Sequence, residues 1–309
     1  MKVKLSGAET GAADVGHVCA GKVLAHEEWE ARRARHEERL RPLVGAHVER
    51  QSRQQKHPIY DFIFEYYGFR PSWLMRWSPG LGVVLGGAAA RDFLKHRAYH
   101  EVEGGVTLNP AELSQTRAPA ARWILDLLKQ TAARPPRFGC YGLHEWAMVY
   151  RIPEARHRQL ALRLPSDELA AFVESQRIVC SHYDAFRFFT PEARPLNTLQ
   201  PERVNRLELE QRGCLHANMD LYKWALKFYP WLGSDLVADA FLLAVELREV
   251  DMQASPYDVR ALGFEPIPIE TEEGRAIYGR RQQELADKAQ PIRLRLMEAY
   301  QNLLHHYLT

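Results

Sequence analysis

Three segments of the chain gather histidine, carboxylate, cysteine and aromatic side chains: 138–151 (FGCYGLHEWAMVYR), 179–190 (VCSHYDAFRFFT) and 214–224 (CLHANMDLYKW). A fourth, 57–67 (HPIYDFIFEYY), precedes them. Aromatic walls supply apolar contact and stacking, while a few polar groups fix orientation, the mixture that small-molecule and nucleobase pockets need. His57 and Asp61 are four apart, as are His216 and Asp220, so each pair shares a face wherever its segment is helical. His/carboxylate pairs facing one another on neighbouring helices can hold iron, manganese or zinc inside a bundle. His144 or His182, each near an acidic residue (Glu145, Asp184), would complete such a site. The candidate ligands are therefore His57, Asp61, His144, His182 and His216, with iron or zinc as the ion.

The same carboxylates can work without metal. Cleavage of an N-glycosidic bond develops oxocarbenium character on the sugar, which a nearby acid stabilises while it activates water, as in glycoside hydrolysis. Glu145, Asp184 and Asp220 are the candidates, with Tyr60, Trp146, Tyr183, Phe186, Tyr222 and Trp224 as side chains able to hold a base. Each acid also has an ordinary alternative as an ion-pair partner of Arg151, Arg187 or Lys223. Cys140, Cys180 and Cys214 lie two to four residues before a histidine, but no CxxC or structural zinc spacing exists, so buried inert thiols are expected.

Positioning these groups falls to helices. Residues 1–23 are rich in Gly and Ala and read as an irregular arm, followed by one helical domain over 24–309. Within it, 24–55 reads as two polar helices with a kink or break at Pro42, and 57–309 as the core. Pro58 suits the first turn of a new helix. The four glycines of 78–87 (SPGLGVVLGG) mark a loop or a close backbone contact, and Gly104-Gly105 between Val102 and Val106 a short hairpin. Helices are expected over 119–131, over 167–177 capped by Ser166, from about His216, and over 234–252 capped by Ser234. In the last of these Leu236, Ala240, Leu243, Leu247 and Val250 form the stripe. A C-terminal helix follows, with a seam through Leu285, Ala289, Ile292, Leu296, Ala299 and Leu303 that Pro291 should bend or restart. The fold class is mainly α, a compact helical domain with a few short strands or one hairpin.

Bulk properties narrow the function. The 309 residues are 46% hydrophobic and 26% charged, ordinary globular values, with no apolar run near the roughly 20 residues that span a bilayer. The opening 19 residues lack a continuous apolar stretch of signal-peptide type, and four cysteines are too sparse for a disulfide scaffold, so a cytoplasmic location without membrane contact is expected. A net charge of +2 is modest for a dedicated nucleic-acid binder, although 22–56 carries nine Lys/Arg against six Glu.

Over HPIYDFIFEYYGFRP (57–71), WSPGLGVVL (77–85), RPPRFGCYGLHEWAMVYR (134–151) and GCLHANMDLYKWA (213–225), the chain resembles a bacterial family commonly labelled 3-methyladenine DNA glycosylase. The resemblance implies excision of alkylated adenine from DNA, with no metal required. Pro79-Gly80-Leu81-Gly82 is superficially similar to the hairpin that grips phosphate in helix-hairpin-helix glycosylases. That family's catalytic Asp has no counterpart, because Asp92 comes too early and the next acids are Glu101 and Glu103. Three expectations result: a glycosylase acting on alkylated DNA, a metal-dependent enzyme acting on a small planar substrate, and a non-catalytic helical binding protein. The first two predict loss of activity in Asp220→Asn with the fold intact.

Overall fold

A computed structural model of the chain describes residues 22–152 and 159–308. The expected irregular arm lies outside them, except that Lys22–Leu24 forms a strand, β1. The long α1 (His26–Ser52) follows, then α2 (Tyr60–Tyr67), α3 (Pro71–Met75), β2 (Val83–Leu85) and the hairpin β3 (Tyr99–Val102) and β4 (Gly105–Leu108). Next come α4 (Ala118–Ala133), α5 (Leu143–Ala147), α6 (Ser166–Ser175), α7 (Tyr183–Phe186) and α8 (Arg206–Leu209). Three helices close the chain: α9 (Leu215–Lys227), α10 (Ser234–Gln253) and α11 (Glu272–Leu308). The fold is mainly α, with one small sheet in the order β1-β2-β4-β3, parallel only between β1 and β2.

The core is built around α9, which packs on α10 and α11 and buries nearly its whole length from Leu215 to Leu226. α10 is buried on most sides, while α11 lies across α4, α9 and α10 through Leu285, Ala289, Ile292, Leu296 and Leu303. Such all-round burial is what lets a helix carry charged residues away from water, provided they are paired.

The helices do not stop at the two prolines within them. α1 runs unbroken through Pro42, and α11 through Pro291. Pro42 costs one intrahelical hydrogen bond, but Trp29, His36, Leu40, Val44 and His47 bury one continuous face across it. Neither expected serine cap forms, because Ser166 and Ser234 are the first helical residues, after Pro165 and Gly233. Ser234 Oγ instead accepts the Ser78 backbone N–H at 2.8 Å. The hairpin at Gly104-Gly105 forms as expected, with Val102 opposite Gly105.

The 78–87 loop is the close backbone contact that its glycines imply. Gly80 has a positive φ of 83°, and a Cβ there would lie 2.8 Å from the Gly233 nitrogen. Its amides are spent inside the protein: Leu81 N–H donates to Trp231 O at 3.0 Å and Gly80 N–H to Ser78 Oγ at 3.3 Å. This turn joins the sheet to α10.

Candidate active site

Three elements converge on one buried point. α5 supplies His144 and Glu145, the first turn of α9 supplies His216, and α10 supplies Arg248 and Asp251. Arg248 and Asp251 are three apart, hence on one face of α10, and Arg248 Nη1 donates to Asp251 Oδ2 at 2.7 Å. The same nitrogen donates to Glu145 Oε1 at 2.7 Å, so one guanidinium spans both carboxylates. His144 Nε2 lies 2.7 Å from Asp251 Oδ1, and His216 Nε2 lies 3.9 Å from Asp251 Oδ2. The two imidazoles meet edge to face, 4.5 Å between centroids.

Among the described residues, His144, His216 and Asp251 are the group of three whose ligand atoms all lie within 4.8 Å of one another. Ligand bonds of about 2.1 Å place donor atoms roughly 3 to 3.5 Å apart around an ion. The two imidazoles approach different oxygens of Asp251, at 2.7 and 3.9 Å, and two histidines with one carboxylate are a donor set that iron(II) and zinc accept.

Burial and charge act differently on each of these groups. Burial alone would strip the proton from His144, but the Asp251 carboxylate overrides it by charge and hydrogen bond and holds the imidazolium well above its ordinary pKa. His216, buried and beside that imidazolium, is pushed down to about 3 and is neutral. Burial raises Glu145, with Arg248 pulling against it.

Above this point opens a cavity of about 370 Å³, within the range of small-molecule sites. Glu145, His216 and Arg248 form its buried end, Phe62, Tyr66, Met148, Phe188 and Tyr257 its walls, and Lys56, His57, Glu65 and Asp184 its more exposed rim. Phe62 stacks on Tyr66 at 5.1 Å, and the Arg248 guanidinium lies 3.9 Å from the Phe62 ring centroid.

The remaining candidates fall elsewhere. The His57/Asp61 pair does not reach the cluster. Asp61 receives Arg50 Nε at 3.0 Å, His47 Nδ1 at 2.8 Å and the His57 backbone N–H at 2.8 Å, tying α1 to α2. His57 Nδ1 accepts the Ile59 and Tyr60 amides at 3.3 Å. The four-residue spacing thus reflects the start of α2 rather than a ligand pair. His216 and Asp220 likewise separate: one faces Asp251, the other lies in a buried ion network. There Asp220 accepts Tyr67 OH at 3.0 Å and Arg206 Nη2 at 3.2 Å, and Lys223 Nζ lies 3.6 Å away. These cations hold Asp220 well below the ordinary carboxylate range against the opposing effect of burial.

His182 adjoins both groups. Its ring stacks on His216 at 5.6 Å, its Nδ1 accepts the Ala185 N–H, and its Nε2 lies 3.4 Å from Asp220 Oδ2. Asp184 lines the cavity but is paired to Lys223 at 3.2 Å and Arg187 at 3.3 Å.

The six expected base-holding aromatics do not line the cavity. Trp146 is buried and donates to Ala254 O, and Tyr60 donates to Glu249. Tyr222 packs on Tyr67 and Phe241, Trp224 on Trp123, and Phe186 on Phe189, while half-buried Tyr183 begins α7. The wall comes instead from their neighbours Phe62, Tyr66 and Phe188 in the same aromatic-rich segments. Asp251 was missed altogether, and so was Arg248. Their signal was present: Ala244, Leu247, Arg248 and Asp251 are spaced as one buried helix face, with two opposite charges in it.

No helix among the described residues is long and apolar enough to cross a membrane. No protein-family model matches the chain, and neither does any curated protein or solved structure.

Proposed function

We propose that the protein is a metal-dependent enzyme acting on a small planar substrate, with His144, His216 and Asp251 holding the ion. The observation that carries this reading is the convergence of those three ligand atoms next to an aromatic-walled cavity, whose buried end is lined by one of them, His216, together with Glu145 and Arg248. Charge supports it. Glu145 and Asp251 face one guanidinium, and the proton on His144 supplies the remaining positive charge, a place that a divalent cation can take over. His216, neutral at ordinary pH, offers a lone pair without giving up a proton. A bound ion of this type supplies an activated water or a polarised substrate oxygen. Glu145, whose carboxyl is raised by burial and anchored through one oxygen to Arg248, is the acid–base group. Phe62, Tyr66 and Phe188 hold the flat face of the substrate.

Base excision, implied by the family resemblance, is a second reading with its own supporting observation. Glu145 and Asp184 are among the four acidic residues that line the same aromatic-walled cavity, and a carboxylate there is what stabilising an oxocarbenium ion beside a bound base asks for. One experiment separates the two. Protein loaded with iron(II), zinc or manganese, and protein stripped with a chelator, are assayed on alkylated DNA and on methylated purine bases and nucleosides. The metal reading expects turnover that is lost on stripping, restored by metal, and absent in Glu145→Gln that still binds metal. Release of 3-methyladenine at full rate from stripped protein would contradict it and favour the metal-free glycosylase.

A further inference from the structure

We infer that Cys140 is a positioning residue of the proposed centre, its sulfur fixing the His144 ring so that Nε2 faces Asp251 and the ion; this rests on the metal reading above. Cys140 Sγ lies 3.5 Å from His144 Nδ1, on the side of the ring opposite the 2.7 Å contact to Asp251. An imidazole that ligates through Nε2 carries its proton on Nδ1, and that N–H needs an acceptor to set ring orientation and raise ligand basicity. Among metal sites the usual acceptor is a carboxylate, carbonyl or water. Here the sulfur takes that place.

The backbone is bent to put it there. Tyr141 and Gly142 both have positive φ, 46° and 73°, and the Leu143 N–H closes the turn onto Cys140 O at 2.9 Å. A left-handed tyrosine is strained and has no short polar side chain to offset the strain. The turn is closely packed: a Cβ on Gly142 would lie 3.2 Å from Ala254 Cβ and 3.6 Å from the Tyr278 ring. The result folds the thiol against a histidine four residues on, without a full helical turn between them.

A nucleophilic role for this thiol is disfavoured by space. Cys140 lines a second void of only about 20 Å³, shared with His182 and Cys214, whereas it is absent from the lining of the 370 Å³ cavity. His216 borders both voids, whereas Cys140 borders the small one and not the larger. The sulfur therefore acts on the ring and not on substrate.

Cobalt(II) titration tests this, because the visible spectrum of bound cobalt reports ligand geometry directly. Wild-type protein, Cys140→Ala, Cys140→Ser and Cys140→Val are titrated with cobalt(II) alone. Outer-partner loss typically weakens metal binding 10–100-fold. We expect a loss of about that size and a shifted spectrum in Cys140→Ala, with Cys140→Ser, which restores an acceptor, within a few-fold of wild type. If the alanine variant does not fold, Cys140→Val, which fills the space without an acceptor, carries the same comparison. Alanine or valine variants with wild-type affinity and spectrum would overturn the role of Cys140 while leaving the metal site standing. A wild-type protein that takes up no cobalt would remove the metal site itself, and this inference with it.

Discussion

His144 Nε2 and Asp251 Oδ1, contributed by helices 107 positions apart in the chain, meet at 2.7 Å with side chains 3% and 0% exposed. A buried ion pair is weak evidence of stabilisation, since desolvation consumes most of the attraction. With His216 beside it, this pair forms the cluster on which the proposed metal site rests. The consequences for stability lie in the carboxylates around it.

Asp61 gives the first. Burial would raise its pKa, but hydrogen bonds from Arg50, His47 and the His57 amide lower it from 3.8 to about 2. A depressed carboxylate pKa means that the folded state prefers the ionised form. Its contribution of about 2 kcal/mol is complete above roughly pH 4 and is lost as pH falls through about 2. Asp61→Asn should therefore lower stability by about that amount at pH 7 and flatten the acid limb of the stability–pH curve between 4 and 2. Denaturant unfolding across that range measures it, and an unchanged acid limb would contradict the assignment.

Asp220 carries a structural load beside any role in activity. Asp220→Asn was expected to remove activity and spare the fold, but Asp220 is 1% exposed and shared by Arg206, Lys223, Tyr67 and His182. Removing one member of a buried ion network leaves the others uncompensated, at about 3–5 kcal/mol. A denaturation midpoint in Asp220→Asn equal to wild type would show the network to be dispensable.

Gly80→Ala tests the junction between the sheet and α10. Its φ of +83° and the 2.8 Å approach to the Gly233 nitrogen leave no room for a methyl group. Left-handed strain contributes about 1–2 kcal/mol, and the backbone clash adds to it. A loss of more than about 2 kcal/mol is expected in chemical unfolding, whereas a neutral substitution would mean that the loop can retreat from α10.

The elements themselves were largely legible because periodicity reports burial. The seam from Leu285 to Leu303 and the Gly104-Gly105 hairpin stand where the residues put them. Pro42 and Pro291 do not end their helices, since a proline's local cost can be outweighed by a helix face buried on both sides of it. The site was half legible. His144 and His216 were chosen for type and company, but His57 and Asp61 share those signals and serve the joint of α1 with α2. Asp251 went unseen because, read along the chain, the REVD run looks like surface charge. Only its phase on α10 marks Arg248 and Asp251 as buried. Which aromatics face a void is decided by tertiary packing, and so Tyr66 and Phe188 line the cavity while their sequence neighbours Tyr67 and Phe186 do not.

The central claim is that His144, His216 and Asp251 hold a metal ion, and elemental analysis of the purified, untagged protein tests it most directly. Iron, zinc and manganese are measured in wild type, His216→Ala and Asp251→Asn, as purified and after incubation with each metal followed by desalting. The account predicts close to one ion per chain in wild type and loss of that ion in both variants while they remain folded. A wild-type protein that retains none of the three metals after loading, or variants that retain as much as wild type, would contradict it.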